Sequence, residues 1–372
     1  MSGPEPIQAE VAAGGRALVL TWSDGLQEAL PAVWLCDNAE DAFDQQTGQR
    51  RLGLDALAFD TALDEAKLDD AALTALLGAG RSWVIPRHRL LARRRPRPTA
   101  ALWLAPQSIQ ALASIPVAAF LTEDAALGEA ALRVARDGLA LLTEGPAEPG
   151  VIERVVARFG FIRATNYGRL FDVRSEPRPS NLAYSAEALA LHTDNPYRDP
   201  PPTLQLLHAI RADAQGGATC FVDGFAHARA LERAAPEAFD LLVRQAVPFA
   251  YAAPDGDVYR ARKPLIETGA DGTLLTVRVN HRSLQPLDLA ADQITPWYQA
   301  YLAFHRRLHA PRAALAITIQ PGEVVVFDNR RILHGRAAYD GRASEGRWLQ
   351  GCYAEIDGLM ATLARLQPGS AA

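Results

Sequence analysis

From residue 203 to residue 355 the chain reads as one short strand candidate after another, punctuated by Gly, Pro, Asp and Asn. The runs are Thr203–Ile210, Thr219–Val222, Pro248–Tyr251, Leu274–Val279, Ala314–Ile319, Glu323–Asp328 and Leu349–Glu355. Brief extended runs separated by turn residues are the pattern of a sandwich or jelly roll, not of a parallel sheet. Two helical stretches interrupt them, near 226–245 and 291–309, and two precede them, at Glu123–Arg136 and Val151–Phe159. Residues 99–372 are therefore expected to form one large α+β domain, mainly β.

At 372 residues the chain exceeds one ordinary domain. Residues 16–98 read as a small N-terminal α+β domain. Arg16–Trp22 has strand character, Ser23-Asp24-Gly25 is a turn, and Ala32–Leu35 and Trp83–Ile85 read as further short strands. Leu63, Ala66, Leu68, Ala71, Leu73, Leu76 and Leu77 fall at helical spacing, which predicts a helix over 63–77. Residues 1–15, small and polar, are expected to be a flexible tail. The basic run Arg87, Arg89, Arg93, Arg94, Arg95 and Arg97, broken by Pro96 and Pro98, is either a solvated interdomain linker or an anion or partner patch.

Net charge of −5 argues against a nucleic-acid partner. Three scattered cysteines, Cys36, Cys220 and Cys352, do not make a disulfide framework. The first twenty residues lack a secretory pattern, and no run of apolar residues is long enough for a membrane span. A reducing cytoplasm is the expected compartment. No internal repeat, P-loop or GxGxxG fingerprint occurs.

Of eight histidines, most have bland surroundings. His88, His305 and His309 sit among charged residues, His208 lies in an apolar run, and His227 is near a helix start. His192 and His334 differ. His192 belongs to Leu191-His192-Thr193-Asp194; in a strand, residues i and i+2 share a face, so an imidazole and a carboxylate can reach one metal. His334 follows an apolar strand and precedes Gly335, which leaves room for close backbone approach. Two His and one carboxylate leave coordination positions open, as in non-haem Fe(II) oxygenases, although zinc can use the same ligands. Arg347, beyond His334, offers a guanidinium fork for a carboxylate, and Thr219, after Gly216-Gly217, offers a hydroxyl to the same anion.

The run His192-Thr193-Asp194-Asn195-Pro196-Tyr197-Arg198-Asp199-Pro200, followed by Leu204-Gln205-Leu206-Leu207-His208, resembles the γ-butyrobetaine dioxygenase family, within the taurine-dioxygenase-like group. Matching pieces in the same order are Asn166-Tyr167-Gly168, Ser180-Asn181-Leu182-Ala183-Tyr184, Val222-Asp223-Gly224-Phe225, Phe327-Asp328-Asn329-Arg330 and Gln350-Gly351-Cys352-Tyr353. The resemblance implies a double-stranded β-helix (jelly-roll) catalytic core behind a small N-terminal domain, and a homodimer. It implies Fe(II) on His192, Asp194 and His334, with 2-oxoglutarate anchored by Arg347. It further implies a trimethylammonium substrate held in an aromatic cage of Tyr167, Phe171, Tyr184 and Tyr353, because a quaternary nitrogen has no N–H to donate. Asn181 and Asn280 match the family's residues for the anionic end. Phe171 stands where relatives often carry Trp, which weakens the cage. The family's N-terminal cysteine cluster is missing around Trp34-Leu35-Cys36, so no structural zinc is expected.

The implied reaction is hydroxylation of an unactivated C–H bond by O₂ with oxidative decarboxylation of 2-oxoglutarate to succinate, ascorbate being a helpful reductant. γ-Butyrobetaine, giving L-carnitine, is the first substrate expected. Trimethyllysine and trimethylaminoethylphosphonate suit the same cage, and Arg282 near Asn280 would favour the phosphonate. A metal-binding jelly-roll module without enzymatic activity is the third reading.

Overall fold

Two runs of three strands, each closed by a short helix, open the chain. The computed structural model describes residues 3–94, 98–105, 114–174, 187–212, 216–253, 256–338 and 347–366. It divides into two compact units, residues 1–97 and residues 98–371. In the first unit, β1 (Pro6–Val11), β2 (Ala17–Trp22) and β3 (Gln27–Pro31) form an antiparallel sheet that leads into α1 (Ala32–Asn38). Likewise β4 (Leu63–Leu68), β5 (Ala72–Leu77) and β6 (Arg81–Pro86) form a second sheet that leads into α2 (Arg87–Ala92). Alternate residues of β2 (Leu18, Leu20, Trp22) and β5 (Leu73, Ala75, Leu77) point inward and share one core with Leu35 and Leu90 of the helices.

Three expectations are corrected here. The stretch expected to be a tail contains β1, which pairs along β2 and packs Ala9 and Val11 against the core. Ala32–Leu35 begins a helix; a short apolar run does not distinguish strand from helix, and burying Ala32, Leu35 and Cys36 together requires the helical period. Leu63–Leu77 is two strands, not a helix. Asp69 accepts from the backbone N–H of Ala71 and Ala72, both at 2.8 Å, and this turn breaks what looked like continuous helical spacing.

The described part of the arginine run is not a solvated linker. Arg87 pairs with Glu5 at 3.0 Å, and Arg94 with Asp24 at 2.9 Å. The Arg89 guanidinium lies over the Phe43 ring, 3.4 Å from its centroid, and donates to the carbonyls of Asn38 and Ala39. Arg93 covers Trp34 and pairs with Glu28. These cations are spent on carboxylates, carbonyls and ring faces of their own unit. Arg95 and Arg97 lie outside the described residues.

The second unit is mixed α and β, mostly sheet. It begins with β7 (Ile115–Pro116), α3 (Val117–Thr122), α4 (Asp124–Asp137), β8 (Leu139–Thr143) and α5 (Val151–Ala157). Then follow β9 (Phe171–Arg174), β10 (Leu189–His192), β11 (Leu204–Arg211), β12 (Thr219–Asp223), α6 (Gly224–Ala234) and α7 (Pro236–Arg244). The hairpin β13 (Val247–Ala252) and β14 (Val258–Lys263) precedes β15 (Ile266–Thr268), β16 (Leu274–Val277) and α8 (Ala291–Leu308). The chain closes with β17 (Leu315–Ile317), β18 (Val324–Asp328), β19 (Ile332–Arg336), β20 (Trp348–Ala354) and α9 (Ile356–Leu366). The single helical stretch expected near 226–245 is two helices, because Pro236 lacks the N–H to continue α6 and starts α7 instead.

Two sheets organise this unit. The larger has the order β7-β8-β18-β11-β20-β9 and the smaller β10-β19-β12-β17. One face of the larger sheet (Leu204, Leu206, Val324, Val326) packs under α4, α5 and α9. Its other face (Leu207, Val325, Phe327, Leu349) meets Phe221, Leu315 and Ile332 of the smaller sheet. The far side of the smaller sheet, through Val222 and Leu333, packs against α6, α7 and α8. Both faces of both sheets are therefore covered, which explains why β18 and β19 are buried throughout. Among the described residues, no helix is long and apolar enough to cross a membrane.

Candidate active site

Strand pairing brings the two distant histidines together. β10 and β19 run antiparallel with His192 directly opposite His334, and their ring centroids are 4.3 Å apart. Gly335 permits this: a Cβ there would lie 2.6 Å from the Leu189 carbonyl oxygen, so β10 approaches only because the position is bare. β10 ends at His192, and Asp194 stands in the turn that follows, where Asn195 has φ +53°. The carboxylate thus reaches the histidines from a turn, not from the strand face the HxD spacing suggested.

Asp194 Oδ1 lies 3.2 Å from His192 Nε2, and Oδ2 lies 4.0 Å from His334 Nε2. His192 Nδ1 is 2.8 Å from the Ala190 carbonyl, which can only accept; Nδ1 therefore carries a hydrogen, and Nε2 is the ring atom turned toward Asp194. Burial, with His192 beside it, pushes His334 down to about 3, so its imidazole is neutral at working pH. Burial would raise the Asp194 carboxyl, but the two imidazoles beside it and the hydrogen bond it accepts from the Tyr353 hydroxyl hold it well below the usual carboxylate range. The neutral imidazole of His334 and the ionised carboxylate of Asp194 are in the protonation states a divalent metal requires. One ligand atom from each of the three residues lies within 4.8 Å of the others; among the described residues no other such group of His, Cys, Asp or Glu exists. The donor set fits a non-haem iron site.

The histidines and Asp194 open into a cavity of about 320 Å³ between the two sheets. Arg347 and Thr219 both line it, both are buried, and Arg347 donates to Thr219 Oγ1 at 3.1 Å. The cage candidates Tyr167, Phe171 and Tyr353 line it as well, with Phe171 centred 6.2 Å from Tyr167 and 5.1 Å from Tyr353. Gly351 pairs with Phe171 across β20 and β9, and a Cβ at 351 would sit 2.3 Å from that ring. Asn280 is buried in the wall, but its amide N–H donates to the Thr193 carbonyl at 3.2 Å, tying down the turn that carries Asp194. Asn181 and Tyr184 lie outside the described residues.

Several wall residues were not singled out from sequence. Tyr251 on β13 stacks on Tyr197 at 5.1 Å and lies 5.8 Å from Tyr167, extending the ring wall. The Tyr197 hydroxyl donates to Asn195 Oδ1 at 2.6 Å. Gln205 lines the cavity from β11 with its side-chain carbonyl buried and unpartnered. Asn329 clamps the Asp194 backbone, accepting from its N–H at 2.8 Å and donating to its carbonyl at 3.1 Å. Asn195, Tyr197, Gln205 and Asn329 stand within the motifs quoted above, yet nothing in those motifs distinguished a wall residue from a turn residue.

A two-histidine, one-carboxylate set opening between two packed sheets fits a metal-dependent oxygenase centre. Residues 102–353 match the taurine catabolism dioxygenase TauD, TfdA family. The γ-butyrobetaine dioxygenase of Pseudomonas sp. (strain AK-1) is 33% identical over 375 aligned positions, covering 96% of each chain. The mitochondrial trimethyllysine dioxygenase of Gallus gallus is 27% identical, over 98% of this chain and 89% of its own. A solved asparagine oxygenase, bound to Fe(II), a 3-hydroxyasparagine and succinate, shares the fold with a TM-score of 0.50 at 18% identity, over 63% of this chain and 79% of its own. The chain belongs to the TauD/TfdA dioxygenase family. It is a 2-oxoglutarate-dependent dioxygenase, and its metal is Fe(II).

Proposed function

We propose that this enzyme hydroxylates a small trimethylammonium substrate with an anionic far end, γ-butyrobetaine first, to give L-carnitine. The observation that carries this reading is the lining of one cavity. It joins the His192–Asp194–His334 set, the Arg347–Thr219 pair and a wall of Tyr167, Phe171, Tyr197, Tyr251 and Tyr353. The two packed sheets are read as a double-stranded β-helix. His192, Asp194 and His334 would hold iron, which supplies the O₂ chemistry when bound together with 2-oxoglutarate. Arg347, steadied by Thr219, would take the far carboxylate of 2-oxoglutarate in its guanidinium fork. Ring faces would attract the quaternary nitrogen, with ~0.5–2 kcal/mol from each well-placed ring. Holding both ends of the substrate aims one C–H bond at the metal, and this placement is what the protein contributes to the rate.

The name of the Pseudomonas relative supports γ-butyrobetaine. A second reading, trimethylaminoethylphosphonate, is favoured by Arg282. This exposed cation lines the same cavity, two residues beyond Asn280, and suits a doubly charged group. Trimethyllysine fits less well, since its ammonium group would meet Arg282 and Arg336 in the wall. The deciding experiment measures succinate and hydroxylated product with Fe(II), ascorbate and 2-oxoglutarate for these three substrates. Coupled turnover strongest with γ-butyrobetaine is expected. Preference for the phosphonate or for trimethyllysine transfers the assignment to that substrate, and no turnover with any of them rejects the trimethylammonium reading. The homodimer is part of the same proposal, with sedimentation as its test.

A further inference from the structure

The carboxylate at the candidate metal centre follows an edge strand of the smaller sheet, yet its side chain is held from the larger one. Tyr353 lies on β20 opposite Gln205 of β11, on the face turned toward the cavity. Its ring packs on Phe171, 5.1 Å between centroids, and its hydroxyl crosses to the smaller sheet to donate to Asp194 Oδ2 at 2.7 Å. Asn329 already fixes the Asp194 backbone through both its N–H and its carbonyl. The remaining freedom of Asp194 is rotation of its carboxylate, and a charge-assisted hydrogen bond to one oxygen removes it. With Oδ2 held, Oδ1 stays beside His192 Nε2 at 3.2 Å.

We propose that Tyr353 is a positioning residue for the metal as well as a wall of the substrate cavity: its hydroxyl aims the Asp194 carboxylate, and its ring ties that carboxylate to Phe171. This rests on the reading that His192, Asp194 and His334 hold the metal. A hydroxyl serving only to satisfy a half-buried carboxylate would influence folding stability and nothing else. A positioning hydroxyl sets metal affinity, because partners of metal ligands typically contribute about 10–100-fold. It also sets how faithfully 2-oxoglutarate turnover is coupled to hydroxylation.

The test compares the wild-type, Tyr353→Phe, Tyr353→Leu and Asp194→Ala proteins, all stripped of metal and checked for folding by thermal unfolding. Each is titrated with Co(II), following both the dissociation constant and the visible spectrum of the bound ion. Tyr353→Phe keeps the ring and loses the hydroxyl. It is expected to weaken Co(II) about tenfold, shift the spectrum, raise succinate formed per hydroxylated product, and leave the substrate KM near wild type. Tyr353→Leu should show the same loss of metal affinity together with a raised KM, and it serves as the reading should the Phe variant not fold. Wild-type Co(II) affinity and coupling in the Tyr353 variants, beside abolished binding in Asp194→Ala, overturns the positioning role alone. Wild-type affinity in Asp194→Ala as well overturns the metal assignment beneath it.

Discussion

His208 sits on β11 with its ring fully buried, and its Nε2 donates to the Pro146 carbonyl at 3.0 Å while Nδ1 has no partner. Burial, only partly offset by that carbonyl, pulls its pKa below the ordinary value. A depressed histidine contributes stability that is fully present above the unfolded pKa of about 6.5 and is lost as pH falls toward the folded one. His208→Gln keeps a donor for Pro146 without the proton uptake. Between about pH 7.5 and 5.5, the melting temperature of the wild type should therefore fall by about 2 °C or more beyond that of the variant; equal falls would remove His208 from the account. Arg347 carries a separate expectation. Arg347→Lys loses the fork but keeps the charge, and should raise the KM for 2-oxoglutarate by about tenfold or more with Co(II) affinity unchanged. At this scale His192, Asp194, His334, Arg347 and Thr219 were named from sequence and line one cavity; the histidines stood out by their scarcity and local setting, whereas Arg347, one of many arginines, was legible only through the family resemblance. Tyr251 was not, since its ring joins the wall only through the packing of β13 against residues distant in sequence.

Gly335 and Gly351 each let two strands meet, and each makes a different prediction. Gly335→Ala would drive a Cβ into the backbone of β10 and part the His192–His334 pair. It should cost Co(II) affinity and activity together. Gly351→Ala would displace the Phe171 ring instead, so the substrate KM should rise while Co(II) binding without substrate stays near wild type. If the two variants behave alike, the division of the cavity into a metal end and a ring wall is wrong. The same strands show what sequence could say about elements. Most of the later strands stand close to where their apolar runs suggested, since both sheets are covered and continuous burial leaves a continuous signal. In the first unit Arg16–Trp22 and Trp83–Ile85 were read as strands and are strands, but 63–77 misled because its strands are half exposed. Polar residues on the outer face of β4 and the Asp69 turn gave 63–77 a helical period by coincidence.

Each unit has its own core, and the candidate metal centre draws all its ligands from the second. Ligand binding stabilises only what it touches. In calorimetry, Co(II) with 2-oxoglutarate should raise the transition of residues 98–371, and the melting of an isolated 1–97 fragment should not move. A shift in the fragment would show a site in the first unit that its sequence did not reveal. The division near residue 98 was readable from the proline-rich run, but the use of its arginines was not, because their partners Glu5, Asp24, Phe43 and Trp34 are far away in sequence. A last consequence concerns β10. Among the described residues this four-residue strand is the edge of its sheet, with β19 as its single neighbour, and it ends on His192. Edges fray. A metal gripped by His192 on the edge and His334 one strand inward would be a rivet through that hem, and the chelate and the strand would stand or fall as one equilibrium. Amide exchange at Ala190 and Leu191 therefore becomes a clock for metal residence: slow while the ion is seated, and quickening each time it leaves.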